Sequence, residues 1–142
     1  MKHGGVRRRR DAERGVSAVE FAMLTPLLFF FLFATVQFGL YFFARHVALA
    51  AAQEGDRVAR SEAGNPIDAR LWQTDATGKV DVWIQRLAPN LLNGYQATAV
   101  PGPDPQTVTV TVTATVPSMI PGLTINVTVH STGPIEQFVP DN

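Results

Sequence analysis

Between Phe21 and Ala44 the chain runs for 24 residues without a single charged side chain, FAMLTPLLFFFLFATVQFGLYFFA. At about 1.5 Å per residue a helix of that length spans roughly 36 Å, and a bilayer hydrocarbon core of about 30 Å fits inside it. Only Pro26, Thr35, Gln37 and Gly39 interrupt the run. A proline one turn inside such a helix can be accommodated when neighbouring groups take up the carbonyl it frees. The other reading, a core helix of a globular protein, requires enough surrounding chain to cover the helix on every side. A chain of 142 residues does not supply it.

Charge orients the segment. Residues 1–44 carry a net +3 and residues 45–142 a net −3, hidden in an overall balance of zero. Arg7, Arg8, Arg9, Arg10 and Arg14 immediately precede the apolar run, and basic residues beside a membrane helix stay cytoplasmic. Nucleic-acid binding is the competing reading of an arginine run, but the position beside an apolar helix favours topology. The outer half, acidic on balance, offers no basic patch with aromatic residues. The expected localisation is therefore the cell membrane, single-pass, with the N-terminus cytoplasmic and the C-terminal part outside. Ala48-Leu49-Ala50 has the small-x-small form of a signal-peptidase site. However, a secretory apolar region is about 7–15 residues, well short of this one, so the segment is expected to be retained as an anchor.

Helical character continues beyond the membrane run. ARHVALAAAQEGDRVARSEA is alanine-rich and free of proline, and Gly64-Asn65-Pro66 stops it. Ala44, Ala48, Ala51, Ala52, Gly55 and Ala59 form a stripe of small residues at three- and four-residue spacing. Such a stripe lets another backbone approach closely, or it reflects helix propensity alone. Asp56 puts a charge on the stripe side, which argues against tight packing there. One helix from about Ser17 to Ala63 is expected.

Asn65-Pro66 then suits a new helix start, with Asn65 as N-cap and Pro66 at the first position. Val80, Trp83, Ile84, Leu87 and Leu91 fall on one helical face. Gly78 leaves open whether this is one helix or two. Pro89 and Asn93-Gly94 end it. From there the period becomes two. Tyr95–Val100 is a short strand, Pro101–Pro105 a turn, and TVTVTVTATV over 107–116 sets Val108, Val110, Val112, Ala114 and Val116 on one side with threonines on the other. Leu123, Ile125, Val127 and Val129 alternate in the same way after Pro121-Gly122. The fold class expected is α+β: a long N-terminal transmembrane helix, then a small domain of a helix on a three-stranded antiparallel sheet. The divisions are 1–15, a basic cytoplasmic leader; 16–64, the long helix, membrane-spanning over about 20–44; and 65–142, the extracytoplasmic domain, its core completed by the long helix.

No chemistry-bearing constellation emerges. His3, His46 and His130 lie in separate regions without ligand spacing, there is no cysteine, and no phosphate-cradling glycine loop or nucleophile elbow occurs. Asn126-Val127-Thr128 fits a glycosylation sequon, though at a strand position. The expectations are no enzyme, no metal, no cofactor, and neither nucleic acid nor a small-molecule substrate as partner.

The informative junction is Arg14-Gly15-Val16-Ser17-Ala18-Val19-Glu20-Phe21. Glu20 is the one acid next to the apolar run, and an acid at a membrane boundary is unfavourable without a partner. Ser17 and Glu20 together can form a capping box, which accounts for both residues without further function. The junction also resembles the cleavage site of class III signal peptides, found in type IV pilins and their relatives. That resemblance implies a prepilin peptidase cutting between Gly15 and Val16, and Glu20, now fifth in the mature chain, pairing with the N-terminal amine of a neighbouring subunit.

With Pro26 early in the apolar run, and Ala44, Arg45, Ala50, Ala51, Gln53-Glu54-Gly55 and Arg57 after it, the chain resembles the TadE-like family of tight-adherence (Flp-type) pilus systems. The C-terminal TVTVTVTATVPSMIPGL and GPIEQF are also similar to the ends of TadE-like proteins. The resemblance implies a pilin-like fold and a minor pilin-like (pseudopilin) component of pilus assembly. The implied partners are the membrane, the prepilin peptidase, other pilin-like subunits and pilus assembly proteins. The alternative is a membrane-anchored extracytoplasmic binding or adhesion module that does not polymerise.

Overall fold

The computed structural model describes residues 5–65 and 71–137, with side chains from Ser17 onward. The proposed helix start at Pro66 and Ile67 lies outside the described residues, as do the side chains of Arg7–Arg10, Gly15 and Val16. The elements are α1 (Gly5–Ala63), α2 (Trp72–Leu87), β1 (Asn93–Pro101), β2 (Thr107–Val116) and β3 (Ile125–Pro134). They fall into two compact units divided between Phe38 and Gly39, with α1 running through both.

The α+β class stands, with one long apolar helix near the N-terminus, a second helix and a three-stranded antiparallel sheet. The end of α1 at Ala63 is the expected one. Its start is not, because the helix already runs from Gly5 and passes through Gly15 and Ser17. Ser17 therefore is not an N-cap, and the capping-box reading of Ser17 and Glu20 does not hold. Arginine, alanine and glutamate in the leader are good helix formers, and one interior glycine costs only about 1 kcal/mol, too little to end a helix.

In the second unit the sheet is a meander of order β1-β2-β3. Val112 of β2 sits opposite Ala97 and Val129, Val110 opposite Ala99 and Ser131, and Ala114 opposite Val127. One row of β2 is buried throughout, Val108, Val110, Val112, Ala114 and Val116, while its threonines are half-exposed. On that outer face the Thr109 and Thr132 hydroxyls lie 2.8 Å apart across the strands, and the Thr115 hydroxyl donates to Asn126 Oδ1 at 3.1 Å. Both outer strands differ in extent from the period-two pattern: β1 begins at Asn93, and β3 extends to Pro134 but starts only at Ile125, leaving Leu123 exposed in the preceding loop instead of on the inner face. Ser131-Thr132-Gly133 carry no apolar side chain, so alternation could not reveal them, yet the ladder against Val110, Thr109 and Val108 continues.

Helix α2 is continuous through Gly78, and its buried face is Trp72, Ala76, Val80 and Ile84. Leu87, expected on that face, is instead 44 % exposed at the C-terminal end, where Ala88 donates to the Ile84 carbonyl and closes the helix. The remaining wall of the core is α1 itself from Ala44 onward: Ala44, Val47, Ala48, Ala51, Ala52 and Ala59 join one buried cluster with α2 and the sheet.

Candidate functional site

The segment from Ser17 to Phe38 is described on its own. Glu20 is exposed, and around it Val19, Phe21, Met23 and Leu24 are all more than half exposed. From there to Phe33 nearly every large apolar side chain is exposed. Water is a poor solvent for such a surface, and contiguous apolar area of this extent marks a membrane or protein contact. The helix continues through Pro26. Thr25 Oγ1 donates to the Phe21 carbonyl at 2.7 Å and Thr35 Oγ1 to Phe31 at 2.8 Å, so both hydroxyls are satisfied within the helix and present no polar demand to lipid. Phe29 stacks on Phe33 with centroids 6.3 Å apart. This is a single-pass membrane helix by length, composition and lack of cover.

The stripe of small residues has a third explanation, neither a second chain nor propensity alone. It faces its own α2 and sheet. A Cβ on Gly55 would stand 2.6 Å from Val80 Cγ2 and 2.9 Å from the Ala76 carbonyl oxygen, so only glycine allows α1 and α2 to approach as they do. Gly133 of β3 faces the next turn of α1, where a Cβ would displace the flexible Arg60 side chain and come within 3.1 Å of Asp56 Oδ2. Part of the Gln53-Glu54-Gly55-x-Arg57 stretch is thereby explained by the packing of one domain. Gly55 provides the close approach, and Glu54 pairs with Arg57 at 3.3 Å on the outer side of α1.

Asp56 corrects the expectation drawn from its charge. It is only 5 % exposed, and packing around it is tight. Ser131 Oγ donates to its Oδ2 at 3.1 Å, and Arg60 Nε lies 3.7 Å from the same oxygen, while Oδ1 has no hydrogen-bond partner. Burial pushes the Asp56 carboxyl above its ordinary 3.8, against the opposing pull of Ser131 and Arg60. A carboxyl that holds its proton more tightly in the folded state makes folding less favourable as it ionises. The stability of the unit should therefore decline as pH rises from about 3.8 through the raised value, and stay level above it. Asp56→Asn, which keeps an acceptor for Ser131, should remove that decline, as thermal melts at a series of acidic pH values would reveal. An Asn variant with the wild-type slope would show that the burial is not felt by the carboxyl.

A second polar contact ties α2 to β1. The Tyr95 hydroxyl donates to Asp81 Oδ1 and accepts from Gln85 Nε2 at 3.2 Å, and the bond to Asp81 raises the tyrosine above its ordinary value. Neither this contact nor Asp56-Ser131 was visible in the sequence, because each joins residues distant along the chain.

Among the described residues no group of three or more histidine, cysteine, aspartate or glutamate side chains could hold a metal ion. His46 and His130 are both exposed. One shallow cleft is lined by Gly94, Gln96, Thr113, Thr115, Asn126 and Thr128, which bring no titratable group.

Compared with known proteins, residues 15–57 match a family model described as TadE-like protein. The match opens on Gly15 and closes on Arg57, and so contains Glu20, Pro26, Arg45, Glu54 and Gly55, but it covers under a third of the chain and none of the sheet. No curated protein and no solved structure gives a match.

Proposed function

The chain is TadE-like over residues 15–57, which ties it to the tight-adherence pilus, and from that premise we propose that it is a minor pilin-like (pseudopilin) component of the pilus assembly system. In this reading a prepilin peptidase removes the basic leader by cutting between Gly15 and Val16. The retained helix holds the chain in the membrane, with residues beyond it outside the cytoplasm. Glu20 then pairs with the new amine of Val16 on a neighbouring pilin-like subunit. Proteins of this family are in general not enzymes, and partners rather than substrates define the role.

The observation that supports the reading is the junction itself. One carboxylate, Glu20, is exposed on a helix whose other side chains from Val19 to Phe33 are almost all apolar and uncovered. In a low-dielectric setting a lone carboxylate is costly, and an amine on a second chain is the partner that offsets that cost. A plain anchor has no need of such a residue.

Two experiments test the two halves. Gly15→Leu should leave a larger, leader-bearing protein in the membrane, because a peptidase that reads glycine before the cut will not accept a branched side chain there. A variant of mature size would contradict processing at Gly15. For orientation, a reporter active only outside the cytoplasm should work fused after Asn142 and fail fused before Met1; the reverse would overturn the positive-inside assignment.

A further inference from the structure

The loop between β2 and β3, residues 117–124, is PSMIPGLT and contains no charge. Three large apolar side chains stand out from it: Met119 is 55 %, Ile120 43 % and Leu123 45 % exposed. The position of this tip along α1 follows from contacts at the other end of the strand. Asp56 of α1 meets Ser131, Glu136 donates its N–H to the Arg60 carbonyl, and Gly64 lies against Ile135 and Glu136. Helix and strand therefore run side by side in the same direction. From Ser131 back to Ile125 is roughly 20 Å of strand. The same distance along a helix is about 13 residues, which leads from Asp56 back to the neighbourhood of Phe43. The tip thus stands level with Leu40–Phe43, the last part of the uncharged run, where Phe42 and Phe43 are each 55 % exposed.

At the centre of the tip the backbone is satisfied internally. The Ile120 N–H donates to Ser118 Oγ at 3.1 Å, the Ser118 hydroxyl donates in turn to the Ile120 carbonyl at 3.2 Å, and that carbonyl also accepts from Leu123 N–H. Irregular backbone cannot enter lipid with its polar groups unsatisfied, and at Ile120 both groups are satisfied within the loop. The β1–β2 turn at the opposite end of the sheet differs, with Asp104 at its centre.

We propose that the β2–β3 tip is a membrane-contacting device: Met119, Ile120 and Leu123 enter the interfacial layer of the bilayer beside the end of the membrane helix. The occupant of this apolar surface is lipid, because the tip stands level with the last, apolar turn of a segment that is itself in lipid. Apolar side chains at a polar–apolar boundary bind the interface in proportion to the area they bury. The inference rests on the membrane-span reading of residues 21–44 and not on processing or polymerisation.

The absence of cysteine makes the test direct. Single cysteines at 119, 120 and 123, at 104 as the far-end control and at 33 as the membrane control, carry an environment-sensitive fluorophore. Each full-length variant is reconstituted into phosphatidylcholine vesicles with brominated acyl chains. Labels at 33, 119, 120 and 123 should be quenched by the bromolipid and shielded from iodide, and the label at 104 should behave oppositely. A quenched label at 33 with unquenched, iodide-accessible labels at the tip overturns the proposal while leaving the anchor intact. An unquenched label at 33 overturns the membrane span first. Tip labels shielded from iodide but not quenched by bromolipid identify a protein neighbour as occupant and equally overturn it.

Discussion

Replacing Val110 by aspartate should unfold the second unit. Val110 is fully buried in the central strand, between Ala99 on one side and Ser131 on the other. It lies against Gly55, the point of closest approach between α1 and α2. A carboxylate there finds no donor, since the one hydroxyl opposite, Ser131, already serves Asp56. It also stands near the Asp56 carboxylate, so burial and like-charge repulsion act together. A loss upward of about 4 kcal/mol is expected, a large part of what a small domain has. The measurement is thermal melting of the full chain in detergent micelles, followed by the fluorescence of Trp72 and Trp83. The full chain is needed because a fragment beginning after Ala59 would lack the wall formed by Ala44, Val47, Ala48, Ala51 and Ala52. Val110→Ala should give a smaller loss, from the cavity alone. A Val110→Asp chain melting with the wild type would place Val110 on the solvent face and reverse the sheet.

The sheet was legible because period two is strong in β2 and sits between proline-rich turns. Its outer face of threonines and inner face of valines are as alternation requires. The long helix was legible at its C-terminal stop, where Gly64 follows Ala63, and not at its start. There the sequence offers an N-cap at Ser17 that competes with helix-forming arginines before it, and propensity over ten residues outweighs one serine. The stripe was legible as a surface of close approach but not as to whose backbone approaches, because small residues record distance and not the partner. Asp56 shows the limit most clearly. Its charge argues against tight packing, yet the side chain is buried beside Ser131 and Arg60, whose pull offsets only part of the burial cost, and neither neighbour can be assigned from spacing. The helix face of α2 was read too far, to Leu87, which is exposed, and to Leu91, which lies beyond the end of the helix, since periodicity does not reveal where a packing partner or a helix ends.

Of the candidate site, Gly15, Val16 and Glu20 stand out in the sequence less by the glycine–glutamate spacing, which is weak alone, than by its combination with Pro26 and the Ala44–Arg57 stretch. They lie within or at the edge of the TadE-like segment. The proposed partner of Glu20 is the Val16 amine of a second subunit. The exposure of Glu20 beside Phe21 and Met23 leaves the carboxylate open to a second subunit. In the leader-bearing chain Ser17 lies inside α1 and does not cap it; in a chain beginning at Val16 it would again stand at the helix start, so the charge of Glu20 is what separates capping from pairing.

The assembly role therefore turns on one substitution. Glu20→Gln keeps size, helix propensity and hydrogen bonding and removes only the charge. Breaking an ion pair in a low-dielectric contact costs about 3–5 kcal/mol, which shifts an association step by two orders of magnitude or more, since each ~1.4 kcal/mol is about tenfold. Surface pili counted on cells that carry Glu20→Gln as the sole copy, with the size of the membrane-embedded protein verified alongside, measure the claim. The account predicts a chain of normal mature size, normally embedded, and a surface stripped of pili. Normal piliation with Glu20→Gln would contradict the pairing and leave an anchored module that does not polymerise.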